Sequence, residues 1–301
     1  MAGASAESVT IEQAGQTGST AEAAAGQAPS RWERWLLYLA LFLGMLMMVA
    51  PFLWMVLGAF KTEAELTRFP PTWIPEELTL AHFRQLFDEL DFPTYFKNSV
   101  IIAGVKTLTN LFFCSMAGYA LAKLHFWGRD VLFVFILGTM MIPGMVTLIP
   151  SFIMISELNL VNTLTGVILP GTVGAFGVFL MRQFMLGIPE DLLDAGRIDG
   201  ASEFHLFWRI ALPLSMPALA TLAIFTFLAS WNDFIWPLIV LSDESKYNLP
   251  VALATFAIGQ HRTETGMLMA GSLVIILPVL VVFVLLQRYF TQGITMTGLK
   301  G

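Results

Sequence analysis

The chain has 301 residues, 56% of them hydrophobic and 13% charged. Soluble domains carry about 25% charged residues, so lipid must solvate most of this surface. A formal net charge of −6 and the lack of any Lys/Arg-rich run exclude electrostatic nucleic-acid binding. The single cysteine, Cys114, excludes an intrachain disulfide and reads as a small residue within an apolar run.

Residues 1–30 are mostly Ala, Gly, Ser, Thr and Gln, with Glu7, Glu12 and Glu22 and no Lys or Arg. Such a tail buries too little apolar surface to offset its ordering entropy, so it is expected to be disordered. It lacks the basic start and apolar centre of a signal peptide. A helix needs about 20 apolar residues to cross a bilayer. Charge-sparse windows near 35–60, 98–122, 131–156, 163–182, 211–241 and 266–288 predict six spans over a permease-sized unit at 31–301. Two outer loops follow from this, at 61–97 and 242–265. The first holds Pro70, Pro71 and Pro75, then Leu80, Phe83, Leu86, Phe87 and Leu90 at helical spacing. That spacing predicts a short helix over 79–90, lying at the membrane interface.

Six crossings place both termini on one side. With that side inside, the inner segments hold nine Lys/Arg and the outer segments six. The bias favours both termini in the cytoplasm. Lys123 and Arg129 in the short loop 123–130 give the cleanest inner signal.

Residues 183–212 are then cytoplasmic, polar and charged. Pro189 suits the start of a helix, and Glu190, Asp191 and Asp194 sit at its positive dipole end. Leu192, Leu193, Ala195, Ile198 and Ala201 form one apolar side. Gly200 can take φ > 0, which ends this helix and turns the chain. A second amphipathic piece carries Phe204, Phe207, Trp208 and Ile210, before Pro213 and Pro217 open the fifth span. Amphipathicity alone would also fit a helix lying on the membrane surface.

The stretch Asp194-Ala195-Gly196-Arg197-Ile198-Asp199-Gly200-Ala201, followed by Ile210-Ala211-Leu212-Pro213, is more specific. It resembles the EAA loop of binding-protein-dependent ABC importer permeases. Asp194 stands where that pattern favours Glu, and Gly196 where it favours Ala. Gly196 costs about 1 kcal/mol of helix propensity, which docking could offset. Ser230-Trp231-Asn232-Asp233-Phe234 and the tail Thr291 to Gly301 resemble carbohydrate-importer permeases of the maltose-transporter type. The resemblance covers roughly residues 31–301. It implies an all-α polytopic membrane protein with the type I ABC importer permease fold, in a bacterial or archaeal cytoplasmic membrane. It implies a transport subunit, not an enzyme, paired with a second homologous permease, two ATP-binding subunits and an extracytoplasmic solute-binding protein. ATP and Mg would be bound by the ATPase partner, with no cofactor or metal in this chain. Asp194, Ala195, Gly196, Asp199, Gly200, Ala201, Leu212 and Pro213 would form the ATPase-coupling site. Gly298, Leu299, Lys300 and Gly301 would reach into the ATPase dimer. Gly259, Gln260 and His261 would meet the solute-binding protein.

Lys106 and Asp233 are the ionisable residues placed within spans. Charges there cost about 2.5–3.5 kcal/mol, so they should face the bundle or water. One reading puts them, with Asn110 and Asn232, on the substrate path. Another places Asp233 near the outer interface, capping or pairing locally, with Lys106 snorkelling. Trp35, Trp54, Trp127, Trp208, Trp231 and Trp236 near span ends fit interface anchoring, with a sugar-stacking platform as the alternative for Trp231 or Trp236. No Gly-x-x-x-x-Gly-Lys-Ser/Thr run, His-Glu-x-x-His or Gly-x-Ser-x-Gly occurs, so no phosphate cradle or hydrolase motif is present. An ion-coupled secondary transporter is the competing class. It calls for midplane carboxylates and often two related halves, and this chain has one intramembrane carboxylate and no clear half-repeat. An ABC permease for a non-sugar solute such as glycerol phosphate is the alternative within the class.

Overall fold

The computed structural model describes residues 31–259 and 265–297. The expected tail 1–30, Gln260, His261 and the last four residues, Gly298, Leu299, Lys300 and Gly301, lie outside the described residues. Every regular element among the described residues is helical. Two compact units divide the chain, residues 1–54 and 55–301. Helix α1, Arg31–Gly58, begins in the first; it is apolar along its length.

Three helices are long and apolar enough to cross a membrane unbroken: α1, a long helix at Phe92–Lys123 and the stretch Thr265–Leu285. Three further helix pairs pass the same test only together, because each is bent. Where the sequence reads one straight window over 131–156, the structure has two helices, Arg129–Met140 and Gly144–Glu157, bent by 103°. Pro143 at the break disfavours helical geometry at Ile142 and stands as the N-cap of the second helix. The window over 163–182 is bent by 41°. The window over 211–241 breaks twice. A 78° bend precedes Met216–Trp231. That helix then stops, and a short one resumes at Ile235–Val240. Pro237 explains the second break. It has no N–H to give the carbonyl of Asp233, four residues back. Asn248 Nδ2 donates to that carbonyl instead, at 2.7 Å.

The elements in chain order are α1; α2 (Glu63–Leu66); α3 (Ala81–Glu89); α4 (Phe92–Lys123); α5 (Arg129–Met140); α6 (Gly144–Glu157); α7 (Leu164–Ile168); α8 (Ala175–Leu186); α9 (Glu190–Ile198); α10 (Glu203–Leu206); α11 (Leu212–Leu214); α12 (Met216–Trp231); α13 (Ile235–Val240); α14 (Leu249–Gly259) and α15 (Thr265–Thr297). Within residues 55–301, α4 is the central helix. It packs most extensively on α8 and α12, and α12 packs in turn on α15. The helix expected over 79–90 is α3. It packs on α15 with Leu86 buried. The Glu63 carboxylate caps α15, accepting from Thr265 N at 3.1 Å and Gly266 N at 3.0 Å. The stretch read as the loop 242–265 contains α14, whose Val251, Ala252 and Leu253 are buried. Its eleven residues are too few to cross a bilayer, which is why a span-length criterion passes over it.

Small residues set the α4–α8 approach. A Cβ on Gly118 would sit 2.6 Å from Met181 Cβ and 2.9 Å from the backbone N of Arg182. One on Gly177 would meet Cys114 Sγ at 2.7 Å. Close backbone approach through small residues is how helices associate in lipid, where no water drives them together. Gly138 in α5 is a natural control, since a Cβ added there would have nothing within 4 Å. Gly118→Ala should therefore destabilise the purified protein by about 1–3 kcal/mol through overpacking against backbone. Gly138→Ala should be neutral or stabilising by up to about 1 kcal/mol. Thermal unfolding followed by size-exclusion fluorescence compares the two. Equal melting temperatures would show that the α4–α8 contact is not close-packed.

Candidate functional site

Two regions gather the residues singled out in the sequence. The first is the segment between α8 and α12. Pro189 is the N-cap of α9, with φ −58° and ψ 134°, and Glu190 and Asp191 occupy the first turn. The helix ends in a Schellman turn. Ala201 N donates to Gly196 O at 2.9 Å and Gly200 N to Arg197 O at 3.0 Å, while Gly200 takes φ 83°. A new helix starts at once, because the Ser202 hydroxyl accepts from His205 N at 3.3 Å. Buried Leu193 and Leu206 join Tyr119, Phe133, Met181, Met185 and Phe207 in one core cluster, so the segment is packed onto the long helices. The opposite face is open. Leu192, Asp194, Ala195, Ile198, Asp199 and Gly200 are exposed, Ile198 to 86%. Ala201 and Leu212 are half-buried, and Pro213 is exposed at the entry to α12.

Gly196 has a steric cause within the chain. A Cβ there would crowd Cδ2 of the buried Leu206 side chain, so the glycine leaves room for Leu206 to pack on α9.

The second region is a cavity of about 480 Å³ between α4, the α7–α8 bend and α12. Lys106, Asn110 and Asp233 all line it, with Thr226 and Ser230. Lys106 neither snorkels nor stands alone. Its Nζ lies 3.4 Å from Asp233 Oδ2, joining α4 to the break after α12. Asp233 thus pairs across the bundle and not locally. Asn110 Nδ2 donates to Gly171 O at 3.4 Å, and its Oδ1 accepts from Thr226 Oγ1 at 3.5 Å. Asn232 does not line the cavity. It is exposed, and its amide donates to Leu228 O at 3.0 Å within its own helix. Neither Trp231 nor Trp236 lines this cavity. Trp231 is buried and donates to Ile275 O, and Trp236 donates to Gly166 O. The aromatic faces at the cavity belong to Phe176 and Phe225, in edge contact at 6.0 Å. Sequence reading missed both, since a lone Phe in an apolar run carries no signal. It also missed Tyr119 and Glu203, and it read Lys123 only as a loop charge, whereas Lys123 ends α4 and donates to the Ile188 carbonyl; all three tie the first region to α4. Among the described residues no group of three or more His, Cys, Asp or Glu could hold a metal ion. Gly259 closes α14.

Residues 114–296 match the family described as "Binding-protein-dependent transport system inner membrane component". The chain is 42% identical over 270 residues to the arabinooligosaccharides transport system permease protein AraQ of Halalkalibacterium halodurans, covering 89% of this chain and 96% of the relative. It is 31% identical to the trehalose/maltose transport system permease protein MalG of Thermococcus litoralis, covering 89% and 98%. Among solved structures, a chain of a bacterial ABC transporter involved in the import of the acidic polysaccharide alginate superimposes with a TM-score of 0.77 at 25% identity, covering 88% of this chain and 100% of that one. The same alginate transporter type, crystallised with an alginate pentasaccharide-bound periplasmic protein, shares the fold at a TM-score of 0.59 and 16% identity, covering 84% and 93%. This chain therefore belongs to the inner-membrane components of binding-protein-dependent transport systems, the permease subunits of ABC importers, in which ATP hydrolysis lies in separate subunits.

Proposed function

We propose that this chain is one of two permease subunits in an importer for uncharged oligosaccharides, driven through residues 183–212 by a pair of ATP-binding subunits. The observation that carries the coupling is the form of that segment. A short helix, α9, is packed on one face and bare on the other, and it ends in a fixed turn at Gly200. A docking helix needs both a rigid base and a free face. Asp194, Ala195, Asp199 and Gly200 lie on or beside that free face. Gly196 and Ala201 shape its base, and Leu212-Pro213 joins it to α12.

The solute class rests on two supports. Relatives named for arabinooligosaccharides and for trehalose/maltose handle neutral sugars. The cavity agrees with them, because the charge of Lys106 is met by Asp233. An anion such as a glycerol phosphate or a uronate would want an unmatched cation, and this lining offers none among the described residues. Phe176 and Phe225 supply apolar faces, and Asn110, Thr226 and Ser230 supply polar atoms, a mixture suited to sugar rings. An ion-coupled mechanism finds little support, since the cavity carboxylate is already engaged. In this reading six crossings place both termini in the cytoplasm. The tail Gly298 to Gly301 reaches the ATPase, and Gly259, Gln260 and His261 meet the solute-binding protein.

In proteoliposomes holding the complete complex, uptake should require internal ATP and external binding protein, with no response to an ion gradient. Gly200→Pro removes an N–H donor and forbids φ > 0, so it should reduce uptake at least tenfold with the complex still assembled. Asp199→Arg should act the same way from the docking face. Wild-type uptake in both would leave the coupling reading without support.

Lys106→Met strands a partly buried carboxylate, a loss that typically costs about 3–5 kcal/mol. The double variant Lys106→Met/Asp233→Asn removes the stranded charge. It should recover membrane yield to near wild type while uptake stays low. Matching yields for the single and double variants would mean that the pair is not a buried one.

A further inference from the structure

Four side chains join the segment 183–212 to the C-terminal half of α4. Tyr119 is buried, and its hydroxyl donates to Glu203 Oε2 at 2.7 Å. The other carboxylate oxygen, Oε1, accepts from Arg197 Nε at 2.7 Å. Arg197 also donates from Nη1 to Asp194 Oδ1 at 2.7 Å. One turn further along α4, Lys123 is buried and donates to the Ile188 carbonyl at 2.7 Å, with Glu190 Oε2 at 3.4 Å. Lys123 therefore grips the start of α9, and Tyr119 grips the start of α10. The helix α9 and its Gly200 turn lie between the two grips.

We infer that Tyr119, Lys123, Arg197 and Glu203 form a clasp that makes the coupling segment and α4 one rigid body. Any displacement of α9 by the ATPase is then delivered to Lys106 and Asn110 at the cavity. This inference rests on the coupling reading above and adds the route by which the motion travels. Three features support a clasp over a set of docking charges. First, both oxygens of Glu203 are consumed inside the chain, one by α4 and one by α9. Second, Tyr119 packs its ring on Phe207 at 5.5 Å, which fixes the phenol in the position that reaches Glu203. Third, the exposed apolar residues of α9, Leu192 and Ile198, are not part of the clasp. The lever beyond the grip is short and stiff. Asn110 and Lys106 precede Tyr119 by nine and thirteen residues in one continuous helix, about 14–20 Å at 1.5 Å per residue. Arg197 is the centre of the clasp: the Glu203 carboxylate first and Asp194 second raise its pKa further, so it stays charged at every working pH. Tyr119, Lys123, Arg197 and Glu203 are thus positioning residues that act through α9.

The test uses the whole complex in proteoliposomes. It reads basal ATPase, binding-protein-stimulated ATPase, uptake per ATP and complex yield. The variants are Arg197→Glu, Glu203→Arg, the swap Arg197→Glu/Glu203→Arg, and Tyr119→Phe. A clasp predicts that each charge reversal lowers stimulated ATPase and uptake per ATP about tenfold while basal ATPase persists. The swap rebuilds the 197–203 ion pair but sets a carboxylate beside Asp194 and removes the acceptor of Tyr119, so it should recover only part of both. Tyr119→Phe, which removes one oxygen and keeps the packing, should lower uptake per ATP about threefold. If Tyr119→Phe is wild type in uptake per ATP, or the single reversals keep full binding-protein-stimulated ATPase, the clasp is wrong. If the swap does not assemble, Tyr119→Phe decides alone. A complex in which Gly200→Pro uncouples but the clasp variants do not would overturn this inference and leave the coupling reading standing.

Discussion

An apolar span can hold a polar atom only if the protein supplies its partner, because lipid supplies none. That requirement falls most heavily on α4 and organises what surrounds it. Asn98 donates to the carbonyls of Ser245 and Tyr247, and Ser99 accepts from the backbone N of Leu249. Lys106 finds Asp233, Asn110 finds Gly171, Tyr119 finds Glu203 and Lys123 finds Ile188. The partners come from four later parts of the chain. One helix therefore fixes the stretch before α14, the break after α12, the α7–α8 bend and the segment 183–212. Thr107 on α4 and Ser230 on α12 are the exceptions, buried hydroxyls with no hydrogen-bond partner among the described residues.

The same bonds explain why the spans are broken where they are. A bend frees backbone carbonyls, and the freed groups must be met. Asp233 shows both halves of this. Its carbonyl, orphaned by Pro237, takes the Asn248 amide, and its carboxylate takes Lys106. The break is thereby held open beside the cavity. Gly118 and Gly177 let α8 approach closely enough for this lining to form. Packing, breaks and cavity are one arrangement, since removing the small residues would push the α7–α8 bend away from Lys106 and Asn110.

Some of this was legible in the sequence because it is local. Span-length apolar windows reveal where lipid is the solvent. The turn at Gly200 is readable from a glycine between two amphipathic pieces, and the structure places it at φ 83°. Lys106 and Asp233 stand out as charges in apolar runs, and both line the cavity. The bends were not legible, since counting charges measures composition and is blind to a carbonyl without a donor. Helix α14 was hidden because it is too short to look like a span. The Tyr119–Glu203 bond joins residues 84 apart, and neither residue is unusual in its own setting. Gly196 looked like a weakness in α9, and its reason is Leu206, ten residues later. Trp231 and Trp236 were read first as interface anchors, and a sequence cannot show the carbonyls of Ile275 and Gly166 that their indole N–H groups meet.

Coupling in this form requires the segment 183–212 and α4 to move together. Spin labels at Ile198→Cys, on the free face of α9, and Leu108→Cys, on an exposed face of α4, measure this in a Cys114→Ala background. Pulsed electron–electron distances would be taken in the full complex, without nucleotide and with a trapped ATP state. A rigid clasp predicts that the 108–198 distance changes by less than about 2 Å, the scale of small helix adjustments. A change of about 5 Å or more, the scale of a one-turn slip, would show that α9 moves past α4 and would contradict it.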